Sequence, residues 1–356
     1  MLRLGVICPS EIAYRRFMPA LTKNKDFSFA GIAIAGTEEV FACNGTDIQS
    51  KQQFIKQEKE KAGPFLENYG GILYQSYTEI VTSSDIDAVY IPLPPALHYK
   101  WAKIALEFGK HVLLEKPATL ELKQTQELVI LASKHSLALH ENYMFIFHDQ
   151  LFEINSIIND GKIGDVRLYR ITFGFPRRSV GDFRYNKEMG GGALYDAGGY
   201  TLKYASMLLG DSAKLVYSNM NHVDGFPVDI YGSAALINDR GTTVQIAFGM
   251  DNSYRCDLEV WGSTGTLTTG RVLTAPDNFT PEVVVKSNAG EEKIVLPADD
   301  TFVKSIAWFK KCIDDKAARE KSYKDIVHQA SLIDEFIAIS EGLRGHSSNA
   351  LEVCPR

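Results

Sequence analysis

Residues Asp87–Glu115 read DAVYIPLPPALHYKWAKIALEFGKHVLLE and indicate the class of fold on their own. An apolar strand ends at prolines, which cannot continue a ladder, and a helical segment from about His98 to Phe108 follows. Gly109 stands where a helix commonly ends, and the apolar strand His111–Glu115 comes next. A strand, a helix and a second strand in this order predict a parallel sheet built from right-handed crossovers.

The same alternation of short apolar strands and helical segments extends through the first third of the chain. It is typical of an α/β domain with a parallel sheet. The Lys-, Glu- and Gln-rich segment Gln49–Tyr69 is predicted to be a solvated helix on the surface of this domain. The predicted strands are Leu2–Cys8, Ser28–Ala35, Asp87–Pro92, His111–Glu115 and Leu137–Asn142.

The pattern changes after about Asn142. A helix at Gln150–Asp160 leads to strands joined by short polar connections such as Asn238–Gly241, which predict an α+β domain with an antiparallel or mixed sheet. Helical periodicity returns from Phe302 to about Arg344. The strands predicted here are Val166–Phe175, Lys214–Asn221, Ile230–Asn238, Thr242–Met250, Arg255–Trp261 and Glu282–Lys286.

Composition and charge narrow the classes of partner. The 356 residues include 38 Lys and Arg against 44 Asp and Glu, a net charge of −6, which disfavours nucleic acid and membrane and favours a small-molecule ligand. The five cysteines are widely spaced, without zinc-binding spacing, so we expect reduced thiols and no metal site. No signal peptide and no apolar run near the roughly 20 residues that span a bilayer is evident, so we expect a cytoplasmic protein.

The turn after the first strand is where a dinucleotide fold would bind the pyrophosphate with backbone N–H groups and a helix N-terminus. Its sequence is Cys8-Pro9-Ser10-Glu11-Ile12-Ala13. Small residues stand at all three glycine positions of G-x-G-x-x-G, but none is glycine. Ser10 can cap the helix, whereas Glu11 adds negative charge. The turn alone leaves dinucleotide binding and a generic strand–helix turn both open.

The end of the second strand normally distinguishes NAD from NADP. Here it reads Ala35-Gly36-Thr37-Glu38, without an adjacent arginine. Gly36 and Thr37 offer a backbone N–H and a hydroxyl to a phosphate, and Arg15 or Arg16 of the first helix can contribute charge. The prediction leans slightly to NADP and keeps NAD as the alternative.

Two sequence signatures carry a family resemblance. Ile91–His98 followed by Gly109-Lys-His-Val-Leu-Leu-Glu-Lys-Pro117, together with Gly190-Gly-Gly-Ala-Leu-Tyr-Asp-Ala-Gly-Gly-Tyr200, resembles the glucose–fructose oxidoreductase/inositol dehydrogenase (Gfo/Idh/MocA) family of nicotinamide-dependent oxidoreductases. The similarity extends from Leu4 to about Gly342. It implies an α/β Rossmann-type, dinucleotide-binding N-terminal domain (1–122). The implied C-terminal domain (123–356) is α+β, with a large open, predominantly antiparallel sheet for substrate binding and oligomerisation.

The resemblance also implies the catalytic residues. The lysine of Glu-Lys-Pro lies beside the nicotinamide and the substrate oxygen in the family, which implies that place for Lys116. A hydride at carbon must be matched by a proton at oxygen, and a partly desolvated ammonium can donate that bond. The second signature usually ends in histidine, but here it ends in Tyr200. A phenol with an ordinary pKa of about 10 is a better donor than base, which favours ketone reduction. Asp196, four residues earlier on the same helix face, is expected to orient sugar hydroxyls.

The remaining expected contacts follow from the same motifs. Asp182-Phe-Arg-Tyr185 resembles a loop of nucleotide-sugar 3-ketoreductases, and guanidinium groups suit a diphosphate. The expected substrate-binding residues are Arg178, Arg184, Tyr185, Asp196 and Tyr200. The expected cofactor-binding residues are Cys8, Pro9, Ser10, Glu11, Ile12, Gly36, Thr37, Pro92, Leu93, His98, Glu115, Lys116 and Asn142.

The leading functional hypothesis is reduction of a keto-sugar, most plausibly a nucleotide-linked 3-keto-hexose, by an NAD(P)-dependent oxidoreductase. An aldose or trans-dihydrodiol dehydrogenase that uses the same residues in reverse is the first alternative. A non-catalytic dinucleotide-binding regulator is the second, because the phosphate turn lacks its glycines. The resemblance further implies a homodimer or homotetramer.

Overall fold

The computed structural model describes residues 1–44, 47–179 and 181–350, without the side chains of residues 43 and 344–350. The chain divides into two compact units that are not continuous in sequence. The first unit comprises Met1–Met144, Glu188–Gly190 and Phe302–Ala330, and the second comprises Phe145–Lys187, Gly191–Thr301 and Ser331–Arg356. The predicted domain boundary between residues 122 and 123 falls inside the first unit, and as a boundary between evolutionary domains it stays a prediction.

The first unit is built on a parallel sheet of six strands. Their order is β3-β2-β1-β4-β5-β6, and every neighbouring pair is parallel. This is the strand order of a doubly wound dinucleotide fold, so the predicted Rossmann-type domain is confirmed. The strands are β1 Leu2–Ile7, β2 Phe27–Ala33, β3 Ile72–Tyr74, β4 Ala88–Ile91, β5 His111–Leu114 and β6 Leu139–Glu141.

The second unit contains an open sheet of eight strands in the order β14-β13-β12-β11-β7-β10-β9-β8. Only β7 and β10 pair in parallel, so the predicted, predominantly antiparallel sheet is confirmed. The strands are β7 Val166–Gly174, β8 Lys214–His222, β9 Asp229–Ile237, β10 Thr243–Gly249, β11 Arg255–Gly262, β12 Gly265–Gly270, β13 Glu282–Ser287 and β14 Gly290–Val295.

Helices connect and cover the strands. A long helix, α2, begins after Asp47, whose side chain accepts hydrogen bonds from the N–H groups of Gln49 and Ser50. Two segments are π-helical turns, Ala13–Phe17 and Leu194–Gly198. The α-helices are α1 Met18–Thr22, α2 Ile48–Tyr69, α3 Tyr77–Thr82, α4 Pro95–Glu107, α5 Leu122–Lys134, α6 Asp149–Asn159, α7 Gly199–Leu209, α8 Thr301–Asp314 and α9 Lys316–Ala350. Short 3₁₀ turns lie at Ala42–Asn44, Met144–Phe147, Phe183–Tyr185 and Lys187–Met189.

Three strands were not predicted. β3 is only three residues long and sits at the edge of its sheet. β12 consists of glycine and threonine around Leu267, and β14 carries Glu291, Glu292 and Lys293 on an exposed edge. Their local sequences lack the apolar alternation of a strand, and pairing with a neighbouring strand supplies the conformation instead.

A partly buried histidine in the first sheet, His111, links stability to pH. Nδ1 of His111 accepts a hydrogen bond from the Ala138 N–H at 2.9 Å, which requires an unprotonated nitrogen. Burial, and then the charge of Arg319, lower the pKa of His111 to about 4. Unfolding restores the ordinary value near 6.5, so the stabilisation is present above that pH and is lost as the pH falls towards 4.

We therefore expect the free energy of unfolding to fall by about 2 kcal/mol between pH 7 and pH 5 because of this one group. Urea unfolding at the two pH values measures it. In His111→Asn the amide oxygen can still accept from Ala138 but does not titrate, so this variant should lose about 2 kcal/mol less than the wild type. Equal losses in both proteins would contradict the assignment.

Candidate active site

The turn after β1 has the backbone of a dinucleotide turn although its glycines are missing. Cys8 has φ of 81°, the left-handed conformation that favours glycine. Ala13 is fully buried where the third glycine allows close packing, and its N–H donates to Oγ of Ser10 at 3.3 Å. Glu11 pairs with Arg15 on the exposed side of the turn. The residues present therefore fit a pyrophosphate-binding turn.

Two carboxylates stand at the end of β2. The Ala35 N–H donates to Glu58 at 2.6 Å, and the Gly36 N–H donates to Glu39 at 2.8 Å. Glu58 is 3% exposed, its pKa is raised by burial, and it also accepts the Tyr77 hydroxyl at 2.9 Å. The Gly36 N–H, which we expected to meet a phosphate, is therefore bonded within the protein.

Glu39 and Glu58 were missed in the sequence. Glu58 lies in the charged run of α2, whose composition predicts a solvated helix, and the turn that directs Glu39 towards Gly36 has no sequence signature. Thr37, the residue after Gly36, is exposed.

A hydrogen-bond network surrounds the Glu-Lys-Pro sequence after β5. The Glu115 carboxylate accepts the Tyr90 hydroxyl and the Asn142 side-chain N–H, each at 2.7 Å. Oγ of Ser305 donates to the Asn142 amide oxygen at 2.7 Å, which fixes the orientation of the amide. Glu115 and Asn142, both expected to contact the cofactor, are thus brought together, while Tyr90 and Ser305 were not foreseen.

His98 connects the segments that follow β4 and β5. Its ring nitrogens lie 2.6 Å from the Leu93 carbonyl oxygen and 2.8 Å from the Pro117 carbonyl oxygen. The side chain is fully buried, and burial lowers its pKa to about 4. His98 therefore packs between the backbone segments that follow β4 and β5, and the peptide bond between half-buried Lys116 and Pro117 is cis.

Close contacts within the second unit require glycine at two positions of the second signature. A Cβ on Gly191 would lie 2.4 Å from the Arg184 carbonyl oxygen. Gly192 has φ of 129°, and a Cβ there would lie 2.3 Å from Oδ1 of Asp229. The other oxygen of Asp229 accepts the Leu194 N–H at 2.7 Å, at the start of the π turn that carries Asp196.

Asp196 is paired with a guanidinium. Nε of Arg184 donates to Oδ2 of Asp196 at 2.6 Å, and another nitrogen of Arg184 donates to Asp182 at 3.1 Å. The side chains of Asp196, Asp182 and Arg184 are 13%, 16% and 21% exposed. The structure brings two expected substrate-binding residues, Arg184 and Asp196, into contact with each other.

Tyr200 follows on α7 and is 7% exposed. Its ring packs against Phe173, with centroids 5.4 Å apart, and against Phe145 at 5.7 Å. These aromatic contacts hold the ring in place on α7.

The loop before the signature displays two exposed arginines. Arg178 lies over the Phe175 ring at 5.1 Å and Arg177 over the Phe226 ring at 4.3 Å, and within the described residues no carboxylate pairs with either. The Tyr185 hydroxyl accepts the Arg178 N–H at 3.0 Å and donates to the Met250 carbonyl at 3.1 Å. Tyr185 thus fixes the loop backbone next to Arg178.

The described part of the chain contains neither a metal-binding cluster nor a helix that could span a bilayer. No group of three His, Cys, Asp or Glu side chains there could hold a metal ion. Among the same residues, no helix combines the length and the apolar character that crossing a bilayer requires.

Comparison with known proteins identifies similar chains. A family described as "Oxidoreductase family, NAD-binding Rossmann fold" matches residues 25–143, and the "GFO/IDH/MocA C-terminal domain" matches residues 152–268. A dTDP-3,4-didehydro-2,6-dideoxy-alpha-D-glucose 3-reductase from Actinomadura kijaniata is 35% identical over 343 residues, which cover 96% of each chain. A D-xylose 1-dehydrogenase (NADP(+)) from Haloferax volcanii is 23% identical over 81% of this chain and 89% of the relative.

The fold of a solved structure matches most of this chain. The crystal structure of a 3-ketoreductase from Actinomadura kijaniata, in complex with NADP and TDP-benzene, matches with a TM-score of 0.85 and 34% sequence identity. The match covers 95% of this chain and 97% of that one.

Proposed function

The chain belongs to the GFO/IDH/MocA family of oxidoreductases, and from this premise we propose that it reduces a keto group of a nucleotide-linked sugar with a nicotinamide dinucleotide. The family resemblance read from the two signatures is confirmed. The alternative of an aldose dehydrogenase has weaker support, because the xylose dehydrogenase is 23% identical and the 3-reductase 35%.

The observation that carries the proposal is the position of Tyr200 among aromatic rings. A phenol with its ordinary pKa of about 10 carries its proton at neutral pH, so it is suited to give that proton to an oxygen that gains negative charge. Reduction of a ketone requires this donation, whereas oxidation of an alcohol requires a base.

The proposed mechanism divides the work among three side chains. When bound, the dinucleotide supplies the hydride. Lys116 donates a hydrogen bond to the keto oxygen and stabilises the negative charge that grows there. Tyr200 delivers the proton to that oxygen, and Asp196 accepts a hydrogen bond from a neighbouring sugar hydroxyl.

The proposed cofactor is NADP, because the similar 3-ketoreductase was solved with NADP. Glu39 and Glu58 already occupy the N–H groups at the end of β2. A 2′-phosphate would therefore be bound by side chains such as Thr37. Arg16 can add charge, since one of its nitrogens is buried without a hydrogen-bond partner among the described residues.

The direct test is an assay of nicotinamide oxidation with a dTDP-linked 3-keto-6-deoxyhexose, with NADPH and NADH compared. We expect turnover, and faster turnover with NADPH. Reduction of NADP by xylose, glucose or a trans-dihydrodiol, with no turnover of the keto-sugar, would favour a dehydrogenase. Cofactor binding without any turnover would favour a regulator.

Arg178 is proposed to bind the substrate diphosphate. Replacing this exposed guanidinium by Gln should weaken dTDP binding about 10-fold, since charge-assisted hydrogen bonds to phosphate are lost. Calorimetric titration with dTDP measures this. Arg170→Gln is the matched control, because Arg170 is also exposed but pairs with Glu259 on the sheet. Equal affinities in the two variants would contradict the assignment.

Two further proposals concern assembly and location. The outer face of the eight-stranded sheet carries exposed Tyr217, Tyr231 and Trp261, which supports a homodimer or homotetramer formed through this face. Light scattering of the purified protein measures its mass. A cytoplasmic location is supported by free Cys8, Cys256 and Cys312.

A further inference from the structure

The backbone of Arg184 is hydrogen-bonded to the second signature. Its carbonyl oxygen accepts the Gly192 N–H at 2.9 Å, and the next turn continues with the Gly191 N–H bonded to the Asn186 carbonyl at 2.9 Å. The Asp182 side chain accepts the Arg184 N–H at 3.0 Å and so caps the 3₁₀ turn Phe183–Tyr185. Both the backbone and the side chain of Arg184 therefore form hydrogen bonds with the segment that carries Asp196.

The guanidinium of Arg184 is also already neutralised. It lies between the Asp196 and Asp182 carboxylates, and its side chain is 21% exposed. One positive charge between two negative charges leaves no net positive charge to attract a diphosphate. The exposed Arg177 and Arg178, by contrast, each lie over an aromatic ring, and no carboxylate among the described residues pairs with them.

From this geometry we infer that Arg184 is a positioning residue that fixes the orientation and the ionised state of Asp196, and that it does not bind the substrate diphosphate. The inference rests on the proposed function for the role of Asp196 towards a sugar hydroxyl. It departs from the sequence expectation, in which Arg184 pairs with phosphate.

The charged groups around Asp196 determine how the loss of Arg184 would affect its protonation. Arg184 and Asp182 face it from the 3₁₀ turn, Asp229 lies on β9 beside the start of the same π turn, and Tyr200 follows on its own helix. Arg184 is the cation among these groups. Removing it leaves three carboxylates in one region, so Asp196 should take up a proton more readily.

The test uses Arg184→Gln and NMR of protein labelled at the aspartate carboxyl carbons, with Asp196→Asn to assign the signal. We expect the pKa of Asp196 to rise by about one unit or more in Arg184→Gln. Arg184→Lys keeps the positive charge, so in this variant the pKa of Asp196 should stay close to its wild-type value. This readout does not require activity, so it tests the inference even if the substrate is wrong.

Kinetics supply the second readout. In Arg184→Gln, kcat should fall about 10-fold and the acid limb of kcat/KM should move to higher pH, because the ionised carboxylate is then lost at a higher pH. The affinity for dTDP should change less than 3-fold. Arg178→Gln should behave in the opposite way, with weaker dTDP binding and an unmoved acid limb.

Asp182→Asn is a second variant that keeps the inference testable if Arg184→Gln does not fold. It retains the Arg184–Asp196 pair. Neutralising Asp182 should leave dTDP affinity unchanged if Arg184 serves Asp196, and should tighten it if Arg184 binds diphosphate. An unmoved Asp196 pKa in Arg184→Gln, or a 10-fold loss of dTDP affinity in that variant, would overturn the inference.

Discussion

Lys116→Met should lower kcat for keto-sugar reduction by about 1,000-fold or more, the largest effect expected of any single substitution. Methionine keeps the length and apolar stem of lysine but offers no donor to the keto oxygen, so the charge that develops there loses its stabilisation. Because this bond strengthens mainly in the transition state, KM should change little. Steady-state kinetics with the nucleotide-linked keto-sugar measure both quantities.

The matched control for that substitution is Lys123→Met. Lys123 is exposed near the start of α5, outside the segment that follows β5, and the same change there should leave kcat within 2-fold. Fluorescence titration should show that Lys116→Met still binds the dinucleotide. A Lys116→Met enzyme with a kcat near that of the wild type would remove this lysine from the mechanism.

Tyr200→Phe should lower kcat by about 100-fold, because in the proposed mechanism the phenol supplies the proton that reduction consumes. The loss is smaller than for lysine, since in the proposed mechanism Lys116 still donates a hydrogen bond to the keto oxygen. The ring and its contacts with Phe145 and Phe173 remain, so stability and dinucleotide affinity should be preserved. Single-turnover measurements with pre-bound NADPH isolate the chemical step.

Tyr204→Phe is the control one turn further along α7. Tyr204 is 1% exposed, and its hydroxyl has no hydrogen-bond partner among the described residues. Removing that hydroxyl should leave kcat unchanged and should not lower the melting temperature, because a buried hydroxyl without a partner costs about 1–3 kcal/mol. If both tyrosine variants lost activity equally, the effect would belong to the helix and not to the proton donor.

The parallel sheet was predictable because each of its longer strands is a buried apolar run bounded by proline, glycine or polar residues. The segment Asp87–Glu115 forms β4, α4 and β5 almost as its pattern indicates, with Gly109 in the left-handed conformation after the helix. A strand that is buried on both faces is apolar along its length, so it can be recognised in the sequence. Glu-Lys-Pro and the glycine-rich signature added the family and the reaction class.

The contacts of polar side chains were not predictable in the same way. Cys8 adopts the backbone of a glycine, so the degenerate fingerprint understated how well the turn fits a pyrophosphate. Glu58 approaches Ala35 from a helix 23 positions further along the chain, and Arg184 approaches Asp196 from a separate turn. Tertiary packing determines which polar side chains meet. From the sequence alone, a charged residue is predicted to be exposed to solvent.

The most direct test of the account is deuteride transfer from nicotinamide-deuterated NADPH to a dTDP-linked 3-keto-6-deoxyhexose, followed by mass spectrometry of the product sugar. We predict one deuterium per product molecule at the former keto carbon in the wild type, and transfer strongly slowed in Lys116→Met. A folded wild-type protein that binds the dinucleotide but delivers no deuterium to this class of sugar would contradict the central claim.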